Sequence, residues 1–248
     1  MALQTTPSTP PQTAPATAGP KVKITDLALG KGAEAVRLGD FIEVNYVGKL
    51  ATGKEFDRNG DIPFKTLIGV GMVIPGWDQG MLGMKPGGKR RLEIPSVLGY
   101  GAAGAGEAIP PNSDLDFEVE LVKIHRAKIL TTKPGNGAAL TPSDVPTFHY
   151  TLTLADGKKI DSSRDRNVPA TAPLARLIPG FVQGLLGMKP GEVRKVTLPP
   201  ALAYGERALP EEDVPAAEGR PAQAKGSLIP ANSTLIFEIE LVSSAKAQ

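Results

Sequence analysis

Apolar and polar positions alternate along two stretches of the chain. In "FIEVNYVGKL", Phe41 to Leu50, the residues Ile42, Val44 and Tyr46 alternate with Glu43 and Asn45. In "DLDFEVELV", Asp114 to Val122, Leu115, Phe117, Val119 and Leu121 alternate with Asp116, Glu118 and Glu120. A period of two sends successive side chains to opposite faces, which predicts strands of an antiparallel sheet with one face buried. Thr52-Gly53 and Asp156-Gly157 are hairpin turn signals. The one helical candidate in this part of the chain starts at Pro75, which suits a first helical position, and has Gly83 as its expected stop. Trp77 and Met81 then share a face at i, i+4 spacing. A short helix lying across a twisted antiparallel sheet is an α+β domain.

The pattern occurs twice. "VIPGWDQGMLGMKPG", Val73 to Gly87, returns as "LIPGFVQGLLGMKPG", Leu177 to Gly191. Tyr46 recurs as Tyr150, Asp57 as Asp161, Gly83 as Gly187 and Tyr100 as Tyr204. The offset of about 104 residues is domain-sized and far longer than a solenoid repeat. The register then jumps, with Ile109 matched by Ile229 and Phe117 by Phe237, so the second copy carries an insertion after Tyr204. The expected organisation is a disordered Thr-, Pro- and Ala-rich tail over 1–20, one domain over 21–125, and a divergent copy over 126–248 with its insertion at about 206–228. The Pro- and Ala-rich insertion is nearly charge-balanced and short for a folded unit.

Composition narrows the function. A formal charge of +2, from 28 basic and 26 acidic side chains, leaves no broad electrostatic footprint for nucleic acid or anionic membranes. The absence of cysteine excludes disulfides, thiolate metal sites and thiol nucleophiles. No stretch is long and apolar enough to span a bilayer, and the N-terminus has no charged and apolar regions of an uncleaved export signal; a cytoplasmic protein is the expectation, with export after signal cleavage as the alternative, since such tails also follow cleaved signals. "GYGAAG", Gly99 to Gly104, matches the dinucleotide pattern G-x-G-x-x-G, but Gly106, Pro110 and Pro111 forbid the helix such a site needs, so a flexible loop is expected. His125 and His149 lack metal-ligand spacing, and His149 is expected to face solvent, opposite Tyr150. Lys89-Arg90-Arg91 and Arg194-Lys195 read as solvated strand ends. Asp57 and Asp161 have no partner carboxylate at hydrolase-like spacing.

Aromatic residues remain. They make up 5% of the chain, yet Tyr46, Phe56, Phe64, Trp77, Tyr100 and Phe117 gather near the ends of separate elements in the first copy, which suggests a lined pocket as readily as a core. "VNYVGKLATGKEFD", "PFKTLIG", "VIPGWDQGMLGMKPGGKRRLEIPSVLGYG" and "IPPNSDLDFEVELV" together resemble the FKBP-type peptidyl-prolyl cis/trans isomerases over nearly all of 21–125, and more loosely over 126–248. The resemblance implies two half-wrapped antiparallel sheets, each around a short helix, with a shallow apolar pocket that takes proline and uses no cofactor or metal. It implies that Tyr46, Phe56, Asp57, Trp77, Tyr100 and Phe117 act on the peptide bond. Phe64, Val73, Ile74 and Ile109 would complete the substrate pocket, and Ala102 to Ile109 would form a flap. The implied partners are proline-containing peptides, unfolded protein clients and rapamycin-class macrolides.

The second copy keeps Tyr150, Asp161, Leu177, Ile178, Tyr204, Ile229 and Phe237, but has Ile160 for Phe56, Ala170 for Phe64 and Phe181 for Trp77. A shallower, looser and weak or inactive second pocket, used for client binding, is the expectation. The first copy has no counterpart to Arg166. A non-catalytic peptide-binding chaperone on the inherited fold is the rival from another class.

Overall fold

The computed structural model describes residues 19–209 and 229–246. They form two six-stranded antiparallel sheets, each carrying one short α-helix, as the α+β reading expects. The tail up to residue 18 and the body of the insertion, 210–228, lie outside the described residues.

The first sheet holds β1 (Lys23–Ala28), β2 (Phe41–Leu50), β3 (Glu55–Arg58), β4 (Phe64–Leu67), β5 (Lys89–Ile94) and β6 (Leu115–His125), with α1 (Pro75–Gly80) between β4 and β5. Its order is β1-β5-β6-β2-β3, and β4 also pairs with β2. The second sheet holds β7 (Lys128–Lys133), β8 (Asp144–Leu154), β9 (Lys159–Ser162), β10 (Ala170–Thr171), β11 (Val193–Leu198) and β12 (Leu235–Lys246), with α2 (Pro179–Leu185) between β10 and β11. The order β10-β8-β12-β11-β7, with β9 on β8, repeats the first element for element.

Strand β2 changes partner along its length. Phe41 to Val44 pair with β4 and Val47 to Lys49 with β3. Where the ladder switches, the Tyr46 N–H donates to the Asn59 side-chain oxygen at 2.7 Å. In β8 the Tyr150 N–H does the same to Ser163 Oγ at 2.8 Å. A side chain thus satisfies a backbone donor that no strand reaches.

Helix α1 starts at Pro75 and ends at Gly80, three residues before the expected stop. Gly83, at φ +79°, instead makes the turn that follows, its N–H bonded to Val36 O. Gly76 and Gly80 face β5, and a Cβ on either would come within 2.7 Å of Ile94 or Leu92. Two glycines at i, i+4 therefore let the helix lie directly on the sheet, with Trp77 and Met81 buried in the core.

Arg90 corrects the reading of the basic run as solvated. The run alternates on β5, so Lys89 and Arg91 are exposed while Arg90 is buried. Its guanidinium donates to Gly80 O at 2.6 Å, Leu82 O at 2.9 Å and Asp26 Oδ1 at 2.7 Å. It thereby satisfies carbonyls left open at the end of α1. Arg194 does this for α2, donating to Gly184 O and Leu186 O. His149 also departs from expectation: it is half-buried, with Nδ1 3.1 Å from Ser163 Oγ.

The first sheet ends at His125 and the second begins at Lys128. The Gln183 side chain of α2 spans the join, accepting from Ala127 N–H at 2.7 Å and donating to His125 O at 2.9 Å. Arg126 reaches back to Asp40 at 2.5 Å and to Glu34.

Candidate active site

Five elements and two loops of the first sheet converge on one concavity of about 240 Å³. Tyr46 comes from β2, Phe56 and Asp57 from β3, Phe64 from β4, Trp77 from α1 and Phe117 from β6. Met72, Val73 and Ile74 enter from the stretch before α1, and Tyr100 from the loop after β5. Trp77 is only 4% exposed, and the rings of Tyr46, Phe117 and Phe64 stand nearly perpendicular to it at 5.2, 5.3 and 6.0 Å. Phe56 meets Phe117 edge to face at 5.5 Å. Such T-shaped contacts match ring edges to ring faces and hold the indole in one orientation. Trp77 Nε1 is buried without a hydrogen-bond acceptor among the described residues.

A glycine makes room for this ring set. Gly48 sits on β2, and a Cβ there would lie 2.7 Å from both Phe56 Cζ and Phe117 Cε1.

Few polar groups break the apolar lining. The Tyr46 hydroxyl donates to Asp57 Oδ2 at 2.7 Å. Burial, and then the bond to Asp57 and its negative charge, push the Tyr46 phenol well above its ordinary pKa, so it stays a neutral donor. Tyr100 lies at the rim, 41% exposed. Ile74 lines the cavity, and its N–H has no acceptor among the described residues. Asp78 on α1 accepts from Gly69 N–H at 2.7 Å and Gly71 N–H at 3.2 Å, which fixes the loop carrying Met72 and Val73. Burial raises the Asp78 pKa against the lowering effect of those two bonds.

Nine of the ten residues expected around the first site line this cavity, and Ile109 does not. It is buried under the loop, bonded through its backbone to Ala105 in both directions. Met72 lines the cavity instead, unpredicted. The "GYGAAG" loop, expected to be flexible, forms a 3-10 turn at Gly101–Ala103, pinned by Asn112 N–H on Gly101 O, and follows another at Ser96–Leu98. A larger groove, about 460 Å³, is lined by Lys89, Arg58, Glu118 and Glu120, a charged surface without the converging rings.

The second copy is packed rather than loose. Tyr150, Ile160, Asp161, Phe181 and Phe237 are all buried, and Leu177, Ile178 and Tyr204 are partly so. The missing volume at Ala170 and Phe181 is filled from β8. Phe148, at the position of Val44, has its ring 5.0 Å from Phe181, and Leu152, at the position of Gly48, is buried as well. The strand register explains the exchange: Val44 pairs with Phe64, and Phe148 with Ala170. Small against large in the first copy has become large against small in the second.

Asp161 is enclosed too. It accepts from the Tyr150 hydroxyl, from Ser162 N–H at 2.8 Å and from Arg166, which also reaches the Tyr150 oxygen at 3.2 Å. The first copy has no such arginine: Arg58 pairs with Glu55, and Asp57 stays exposed. Ile229 is buried and bridges Leu209, closing the base of the insertion as Ile109 and Ala105 close the shorter loop. No cluster of His, Cys, Asp and Glu among the described residues could hold a metal ion.

The model of the FKBP-type peptidyl-prolyl cis-trans isomerase family matches residues 32–122 and 137–242. The chain belongs to that family. It is 36% identical over 217 residues to the human peptidyl-prolyl cis-trans isomerase FKBP10, a match covering 84% of this chain and 34% of that protein. The chain thus spans about a third of the length of curated relatives such as human FKBP10 and FKBP9. It is 54% identical over 104 residues to the FK506-binding protein of Neisseria meningitidis serogroup A, covering 41% of this chain and 94% of that one. The crystal structure of the three FKBP domains of wheat FKBP73 aligns with a TM-score of 0.44 at 26% identity, covering 91% of this chain and 95% of that one.

Proposed function

We propose that the chain accelerates cis/trans rotation of X-Pro bonds in peptides and folding proteins, and that the cavity floored by Trp77 carries most of this activity. The observation behind this reading is the open aromatic concavity of the first copy, set against the buried counterpart residues of the second and the Phe148 ring packed on Phe181.

The reaction suits such a site. Resonance gives the peptide bond double-bond character and a rotation barrier of roughly 18 to 20 kcal/mol. Twisting the bond removes the resonance and leaves a less charge-separated amide, which an apolar site favours over the planar form. Trp77 supports the proline ring, and Phe56, Phe117 and Tyr46 surround the carbonyl before it. The Tyr100 hydroxyl and the Ile74 N–H hold the peptide backbone. Asp57, fixed by Tyr46, orients this wall. A ten-thousand-fold acceleration needs about 5.5 kcal/mol of contacts made only to the twisted bond, and no covalent step. Rapamycin-class macrolides would occupy the same apolar cavity.

The second copy is read as a weak or inactive, client-binding domain, because Phe148, Leu152 and Arg166 occupy or enclose its counterpart site. The test is catalysis of a proline-limited refolding reaction by the full chain, with and without Trp77→Ala and Phe117→Ala. Folded double-variant protein with the parent's catalytic efficiency would mean that the reaction occurs elsewhere or that the chain is a binding protein only.

A further inference from the structure

The loop from Ile68 to Ile74 carries Met72, Val73 and Ile74 into one wall of the first cavity, and it is supported from two sides. On one side Asp78 of α1 holds the Gly69 and Gly71 N–H groups. On the other side the support comes from the second copy. Leu67 and Val70, both buried, belong to the continuous apolar cluster that forms the second sheet's core, and Phe41 and Leu186 pack against that cluster. A Cβ built on Gly39 would fall 2.6 Å from Leu186 Cδ1, so the residue just past α2 lies directly against the first domain there. Gly39 N–H in turn donates to Ile68 O at 2.7 Å, and Ile68 N–H to Asp40 O at 3.0 Å. Contact therefore runs from α2 through Leu186 to the segment that ends in Met72, Val73 and Ile74.

We infer that the second copy is a positioning element for the first site: α2 and Leu186 buttress the 68–74 wall, so the geometry of the Trp77 cavity depends on the neighbouring domain. This rests on the functional reading above only for its catalytic readout. The corresponding stretch of the second copy has no such need, because it winds into its own 3-10 turn at Leu174–Arg176 and has the buried Val182 where α1 has Asp78. The second domain thus has a physical role in the first. Packed interiors pass such displacements on because they have little void to absorb them.

The test uses the full chain. Trp77 is its only tryptophan, so emission and acrylamide quenching report the first cavity alone. Leu186→Ala and Val70→Ala are compared with the parent and with Leu186→Met, which keeps the volume. Each is first shown to unfold cooperatively. Looser packing of the wall predicts a quenching constant about twofold higher in both alanine variants, in ligand-free protein. It also predicts kcat/KM on a prolyl peptide lower by about fivefold, equivalent to about 1 kcal/mol and residing mainly in KM. Leu186→Met should restore both. Should an alanine variant fail to fold, the milder truncation Leu186→Val supplies the same comparison at the same contact. Folded variants with parental quenching and parental KM would overturn the inference. A parent without isomerase activity, but with quenching that rises in the alanine variants, would sink the functional reading and leave the buttress standing.

Discussion

Gly48 offers a direct test of why the first cavity is open. Its backbone lies in β2 with no positive φ, so the objection to a side chain is space and not conformation. The Cβ of Gly48→Ala would sit 2.7 Å from Phe56 and from Phe117, about 1 Å inside ordinary carbon contact. Both rings must move, and they are the rings held edge to face at 5.5 Å. Overpacking of this kind costs roughly 1 to 3 kcal/mol. If the displacement falls on the wall that contacts the twisted peptide, kcat/KM drops by about 5- to 150-fold at about 1.4 kcal/mol per decade. Gly48→Leu, which installs the second copy's residue, should lose more. The assay is isomerisation of a prolyl peptide, with Trp77 emission and thermal unfolding as controls for folding. Folded Gly48→Ala protein with undiminished kcat/KM would refute the argument, since the rings would then be free to move without consequence.

Other outcomes follow from the same geometry. Arg90→Ala leaves two carbonyls at the end of α1 without their donor, so urea unfolding followed by Trp77 emission should show a loss of about 2 to 4 kcal/mol, and a loss below about 1 would contradict the capping role. Asp144 is held down to about 2 by bonds from Lys246, from the Thr141 N–H and from the Thr141 hydroxyl. Its folded value lies below the ordinary one of about 3.9, so its contribution is present above that and is lost as pH falls towards 2. Asp144→Asn should therefore flatten the loss of stability between about pH 4 and 2, and an unchanged slope there would show that this group is not responsible. Phe148→Val with Leu152→Ala should reopen the second cavity at a cost of several kcal/mol to that domain. Calorimetric titration with a prolyl peptide should then give more than one site per chain, whereas a folded variant still binding at a single site would mean that other groups close the second pocket.

Much of this was legible in the chain itself, and the omissions share a cause. Alternation in "FIEVNYVGKL" and "DLDFEVELV" located β2 and β6, and the repeat of Tyr46, Asp57 and Tyr100 located equivalent sites, because period and spacing survive without coordinates. Comparing the copies one position at a time missed what strand pairing does. Ala170 for Phe64 looked like lost volume until its cross-strand neighbour, Phe148 for Val44, was counted. Leu152 for Gly48 was open to the same reading in "VNYVGKL" against "FHYTLTL". Arg90 could have been found from the alternation that revealed the strands, since it shares an inward face with Leu92 and Ile94. Met72 and Ile109 carried no such signal: which of them faces the cavity depends on the turn of a loop, and neither periodicity nor composition records that.

The most direct measurement of the central claim is kcat/KM of the full chain on one prolyl peptide after matched truncations in the two copies. Phe56→Ala with Phe64→Ala trims two partly exposed wall rings of the first cavity, and Ile160→Ala trims the matching wall of the second, where residue 170 is already alanine. A loss of about 10-fold or more is expected in the first variant, from about 1.4 kcal/mol or more of lost contact, and a change of less than about twofold in the other. Equal losses, or a loss confined to the Ile160 variant, would contradict the claim.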